Sequence, residues 1–222
     1  MEAGAPSSRF PRRPGCATLS RSQNILIIMN NPEAPSAPKV IVDFDHPPGQ
    51  DLWVFAYGSL MWNPGFPVAQ SVSALLRGWH RRFCIYSHMH RGTPERPGAV
   101  LGLDRGGACR GHALRVVAAD VPGVLDYLWQ REMAYRVYIP RLVRLATADG
   151  PIQALAFTAD PVHEQYCGGL DMAGTAALIR QGTGQSGRNI DYLTSLIDHL
   201  AEIGIHDRGL EQLLALVNQT TP

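Results

Sequence analysis

Glu132 is the carboxylate in this sequence best placed to move protons. It falls seven residues after Leu125, four after Leu128 and three after Trp129, so on a helix it prolongs the stripe that faces the core. A carboxylate there is stripped of water and lies near the negative end of the helix dipole. Both effects oppose ionisation and raise its pKa toward the range useful for general acid–base work. The same spacing also accommodates an ion pair with Arg131 or Arg136, or a helix that stops early and leaves Glu132 in solvent.

A second chemical feature is Tyr57-Gly58-Ser59-Leu60, directly after the apolar run Leu52–Ala56. A glycine at that point lets backbone N–H groups turn inward and form a nest for a carboxylate or a developing oxyanion. Ser59 lacks the Gly-x-Ser-x-Gly frame of a nucleophile elbow, which argues against serine hydrolase chemistry. His88, His90 and Arg91 cluster in a third segment, Ser87–Gly92. Two histidines two apart would share a strand face, but no third metal ligand stands at suitable spacing. Arg91 is the candidate clamp for a substrate carboxylate, with His90 hydrogen-bonding beside it; an ordinary surface loop fits the same residues. Gly182–Gly187 matches Gly-x-Gly-x-x-Gly literally. The residues before it read as helix and the 35 after it contain no strand, so a dinucleotide site is excluded. The glycines read instead as a helix stop and a loop that delivers Asn189 to cap the next helix, where Tyr192 either points back toward a ligand or packs in the core.

These residues need elements to hold them. Leu52–Ala56 is short, apolar and aromatic, and ends in glycine, which favours a buried strand. Further strands are expected at Ser73–Leu76, Arg82–Tyr86, Ala99–Leu103, Gly111–Val117, Ile139–Leu145 and Gln153–Thr158, with turns at Arg105-Gly106-Gly107 and Asp149-Gly150-Pro151. A helix capped by Asp120, with Pro122 in its first turn, should run to about Met133. Asp171, Asn189 and Asp207 should open three more, the last two with apolar faces at helical spacing. Strands first and helices later imply an α+β domain rather than a doubly wound sheet.

The folded unit is expected over residues 49–218. Residues 1–48 read as a tail dominated by Pro, Ser, Gly and Ala without a hydrophobic period. Met29, inside that tail, is a second candidate initiator. Lys and Arg total 20 against 19 Asp and Glu, which gives no electrostatic reason to expect a nucleic acid or membrane partner. Cys16, Cys84, Cys109 and Cys167 are scattered without a tight pair and read as reduced thiols of a cytoplasmic protein. No apolar run approaches the roughly 20 residues of a membrane span. Nothing in the residues sets an oligomeric state.

Taken together, the segments resemble the ChaC-type γ-glutamylcyclotransferase family. The matching pieces are Trp53–Trp62, Arg77–Phe83, His90-Arg91-Gly92, Arg131-Glu132 with Tyr138 six residues on, and Ser186–Leu193. The resemblance covers about residues 51–217. It implies a small mixed β-barrel flanked by helices, no metal or organic cofactor, and a small-molecule γ-glutamyl substrate, usually glutathione, cyclised to 5-oxoproline with release of Cys-Gly. In that chemistry Glu132 would carry the proton, Tyr57–Leu60 would bind a carboxylate or the oxyanion, and Tyr138 and Tyr192 would orient the γ-glutamyl group through their hydroxyls. One departure stands out. Family members often carry small or glycine-rich residues where this chain has Met133–Val137, a difference that bears on the leaving group. Two other readings remain open: a cyclotransferase for another γ-glutamyl peptide or γ-glutamylamine, and a γ-glutamyl-binding module without turnover.

Overall fold

The computed structural model describes residues 46–219, so the expectations for the tail, Met29 and Cys16 lie outside the described residues, apart from residues 46–48. Five strands close into a barrel: β1 (Leu52–Ala56), β2 (Gln70–Ser87), β3 (Gly98–Val116), β4 (Tyr138–Thr147) and β5 (Gly150–Ala159). Their order around the barrel is β1-β3-β2-β4-β5. Neighbours are antiparallel except where β1 closes the barrel parallel to β5 at Val54 and Leu155. Helix α1 (Val121–Glu132) lies between β3 and β4, and α2 (Met172–Gln181), α3 (Asn189–Glu202) and α4 (Arg208–Asn218) come after the barrel. The fold is therefore α+β, a mixed barrel with flanking helices, as expected.

The apolar run of β1 is continuous because it feeds two cores. Leu52, Val54 and Ala56 pack with Val121, Val124 and Leu128 of α1 and with Leu155 and Phe157 of β5. Phe55 and Tyr57 join the cluster that receives Ala176, Ile179, Leu193, Leu196, Leu210 and Leu213 from α2, α3 and α4. Full burial of a leucine such as Leu128 contributes about 1.5–3 kcal/mol, enough to fix α1 against the barrel.

Four local expectations are corrected. Ser73–Leu76 and Arg82–Tyr86 are parts of the single strand β2, and Ala99–Leu103 and Gly111–Val117 belong to β3, which ends at Val116. The turn expected at Arg105-Gly106-Gly107 is a bulge inside the long ribbon. Gly78 (φ 81°) stands opposite Gly106 (φ 102°) and Gly107 (φ 63°), and pairing shifts between Arg77↔Ala108 and Trp79↔Arg105. Glycine permits the left-handed backbone that bends the ribbon without ending it. Asp120 occupies the N-cap position of α1, but its side chain makes no capping bond. Asn189 is the first helical residue of α3 rather than its cap; Arg188 holds that position. The Asn189 side chain instead pairs with both backbone groups of Ala99. Asp171 and Asp207 cap α2 and α4 as expected, accepting from the N–H of Gly174 and of Leu210.

Candidate active site

Helix α1 delivers Glu132 because its buried residues recur at helical spacing. Val121, Val124 and Leu128 face β1, and Glu132, one turn beyond Leu128, is the last helical residue. Its side chain is 16% exposed. Burial pushes its carboxyl above the usual carboxylate range, against the opposing charge of Arg131. The two arrangements the spacing allowed are thus combined: the carboxylate is desolvated and also paired. The partner is Arg131, whose Nε lies 3.2 Å from Glu132 Oε1; Arg136 forms no ion pair among the described residues. Arg136 has another role. It adopts a left-handed conformation (φ 54°) and donates its N–H to Met133 O, which turns the chain from α1 into β4 at a position where glycine would cost least.

The turn after β1 is a short 3-10 helix, Ser59–Met61, entered from Gly58. Its internal bonds use the N–H groups of Met61, Trp62 and Asn63. No acceptor among the described residues takes the N–H of Ser59 or Leu60, and both residues line the cavity that Glu132 also lines. Two buried guanidiniums brace the turn. Arg81 donates Nε to Tyr57 O at 2.5 Å and Nη2 to Arg110 O, while Nη1 pairs with Asp207 Oδ2 at 3.5 Å. Arg131 donates Nη2 to Ser59 Oγ at 3.0 Å.

Tyr57 donates its hydroxyl to Phe157 O at 3.0 Å, and Tyr138 donates to Leu101 O at 2.8 Å. The Tyr192 ring packs against Phe83, and the Arg91 guanidinium lies 5.2 Å over its centroid. Burial pushes Tyr57 and Tyr138 well above the usual phenol range and Tyr192 up to about 12, so all three are neutral at physiological pH.

Arg91 is 4% exposed. It donates Nη1 to Arg188 O at 3.1 Å, its Nε is buried without a hydrogen-bond partner, and no carboxylate pairs with it among the described residues. The Asp191 charge acts on it without forming a direct ion pair, and a buried guanidinium without a direct pair favours an anion as its partner. His90 places Nδ1 3.2 Å from Ser186 Oγ, and its pKa is pushed down by burial and then by Arg91. The Gly182–Gly187 segment explains this contact. Its hairpin, β6 (Thr183–Gly184) and β7 (Gly187–Arg188), runs along the Ser87–Gly92 segment, with Gln185 N bonded to Met89 O and Ser186 N to His90 O. A Cβ on Gly184 would fall 2.3 Å from Met89 O, so only glycine allows this approach. His88 is exposed and stacks on Tyr86; among the described residues no group of three His, Cys, Asp or Glu could hold a metal.

All nine residues singled out in the sequence, Glu132, Tyr57, Gly58, Ser59, Leu60, His90, Arg91, Tyr138 and Tyr192, line one cavity of about 530 Å³. Sequence reasoning did not find Met89, Tyr135, Glu164 and Gln165, which line the same space. Gln165 reaches it because its carbonyl accepts the N–H of Tyr86 at 2.7 Å, a contact between distant residues that leaves no periodic signal. Arg131 was legible only as a neighbour of Glu132, not as the brace of the Ser59 turn.

A family model described as ChaC-like protein matches residues 52–220. The glutathione-specific γ-glutamylcyclotransferase of Escherichia coli (strain K12) is 38% identical over 169 residues, 76% of this chain and 73% of that protein. The glutathione-specific γ-glutamylcyclotransferase 1 of Homo sapiens is 34% identical over 196 residues, 85% of this chain and 88% of that protein. The crystal structure of a γ-glutamyl cyclotransferase specific to glutathione from yeast superposes with a TM-score of 0.68 at 24% identity, over 76% of this chain and 96% of that one, which shows the shared fold. The barrel, the order of the site segments along it and the extent of these matches lead to one assignment: the chain belongs to the ChaC-like protein family.

Proposed function

We propose that this protein degrades glutathione by intramolecular cyclisation, giving 5-oxoproline and Cys-Gly, and that residues 49–218 form the catalytic unit. The observation that carries the reading is Glu132, desolvated in a cavity that also holds the unpaired N–H groups of the Ser59 turn and Arg91, whose Nε has no hydrogen-bond partner.

Glu132, as carboxylate, takes a proton from the α-ammonium of the substrate. The freed amine attacks the γ-carbonyl of the same molecule and closes a five-membered ring. Nucleophile and electrophile arrive together, so the cavity has mainly to hold a folded conformer, a gain of about 7–11 kcal/mol in well-oriented intramolecular reactions. The N–H groups of Ser59 and Leu60 are suited to the developing oxyanion or to the α-carboxylate, and a good oxyanion donor is worth about 2.7–4 kcal/mol. Protonated Glu132 then gives its proton to the departing Cys-Gly amine and, ionised again, takes the second proton from the ring nitrogen, which leaves the neutral lactam. That proton passes to the freed amine, which departs as ammonium, and Glu132 ends as the carboxylate it began as. Because the Tyr138 hydroxyl already donates to Leu101 O, it would meet the substrate ammonium as an acceptor. Arg91, with His90 beside it, would hold a substrate carboxylate. One carboxylate serves every proton transfer, and no step requires a cofactor.

The Escherichia coli and human relatives carry the substrate in their names, which supports glutathione over other γ-glutamyl compounds. No helix among the described residues is long and apolar enough to cross a membrane, and Cys84, Cys109 and Cys167 are free and buried. Both fit a cytoplasmic site of action, where thiols are kept reduced. The deciding experiment incubates purified protein with glutathione, γ-glutamyl-alanine or γ-glutamyl-lysine and tracks 5-oxoproline together with the amine product. Turnover confined to glutathione is expected. Preference for another substrate would move the assignment to that compound, and binding without turnover would support a non-catalytic module.

A further inference from the structure

We propose that Arg131 is the positioning residue of this site, a single buried cation that locks the Ser59 turn and the Glu132 carboxylate into one fixed relation. The inference rests on the proposed role of Glu132 as proton carrier. The Arg131 side chain is 2% exposed. Its Nη1 donates to Asn63 O (3.0 Å), Pro64 O (3.2 Å) and Tyr127 Oη (2.8 Å), and Nη2 donates to Ser59 Oγ (3.0 Å). Nε lies 3.2 Å from Glu132 Oε1, and this pairing opposes the upward push of burial on the carboxyl. A planar fork of this kind reaches several acceptors at once and cannot be deprotonated.

The other groups around Glu132 do not duplicate that charge. Tyr57 at the end of β1, Tyr138 on β4 and Tyr192 on α3 interact with it electrostatically, and all three are neutral hydroxyls. Cys84 of β2, near Tyr57 and Tyr138, is a neutral thiol pushed above its usual range by burial. Arg91 lies over the Tyr192 ring and is not among the charges that shift Glu132. Arg131 is the one that opposes burial there. It keeps enough carboxylate for the first proton transfer and leaves Glu132 acidic enough when protonated to release its proton to the leaving amine.

The test compares wild type, Arg131→Gln and Arg131→Lys by two readouts. One is the pH dependence of kcat/KM for 5-oxoproline release from glutathione. The other is infrared titration of the Glu132 carboxyl, identified by the C=O stretch lost in Glu132→Gln. In Arg131→Gln both the acid limb and the titration should move to higher pH by about one unit or more, the size of effect expected for loss of an adjacent opposite charge. Arg131→Lys should return both toward wild type while kcat/KM stays low, because a point charge cannot span Ser59 and Asn63. An acid limb and titration in Arg131→Gln that coincide with wild type would overturn the proposal. If Arg131→Gln does not fold, Arg131→Lys decides, and wild-type kcat/KM in that variant overturns it. The infrared readout separates the two claims. Wild type without turnover removes the proposed function even if the titration shifts, whereas an unshifted titration beside an active wild type removes this inference alone.

Discussion

Glu132 is held between two opposed influences, burial that favours its neutral form and Arg131 that favours its ionised form, and burial is the larger. This balance sets the sign of its effect on activity. In the proposed mechanism the first proton transfer needs the carboxylate, so the rate should fall as pH falls through a pKa above the ordinary glutamate range. Initial rates with glutathione across a pH series should place the acid limb of kcat/KM higher than a solvent-exposed glutamate would; a limb in the ordinary range would remove Glu132 as the base. Glu132→Gln should keep the far-UV circular dichroism of wild type and lose 5-oxoproline formation by at least the roughly 10²–10⁴-fold typical of general acid–base groups. Ser59→Ala should behave differently. Its hydroxyl accepts from Arg131, while the groups of the turn proposed to meet the substrate belong to the backbone, so its loss should stay below the roughly 10²–10³-fold of a missing oxyanion donor. Complete inactivation would give the hydroxyl a direct part in the reaction.

At the scale of elements, two helices bring side chains to the cavity by different means. Helix α1 is held by apolar packing along its length. Helix α3 is also pinned at its first turn, where the fully buried Asn189 accepts from Ala99 N–H at 2.7 Å and donates to Ala99 O at 2.8 Å. That pair sets where Tyr192, three residues later, meets Arg91. Asn189→Ala would leave both Ala99 groups buried without partners, at a cost of about 1–3 kcal/mol each for an unsatisfied group. Urea unfolding should show the lower midpoint, and kcat/KM should fall with it as Tyr192 loses its registration. Unchanged stability would mean that another group satisfies Ala99.

For the molecule as a whole, the barrel converges segments that are remote in the chain: the turn after β1, the end of α1, the loop after β2 and the start of α3. Residues 49–218 contain all of them. A chain lacking residues 1–48 should therefore match the full chain in 5-oxoproline release within experimental error, and a marked loss would assign those residues a part in the catalytic unit.

The sequence alone marked the candidate site residues and most of the elements, because those signals are local. Apolar spacing marked α1 and its terminal Glu132, acidic caps marked α2 and α4, and a glycine after an apolar run marked the turn at Ser59. Tertiary structure decided what local signals do not encode. Gly106 and Gly107 look like a chain break but become, opposite Gly78, a bulge once two long strands pair through them, because hydrogen bonding on both sides carries the ribbon past the left-handed residues. Asn189 looks like a cap but bonds to Ala99, ninety residues away in the chain. Arg131 acquires its acceptors at Ser59, Asn63 and Pro64 only when α1 packs on β1, since a side chain's partners are set by the surfaces that burial brings together and not by its neighbours in sequence.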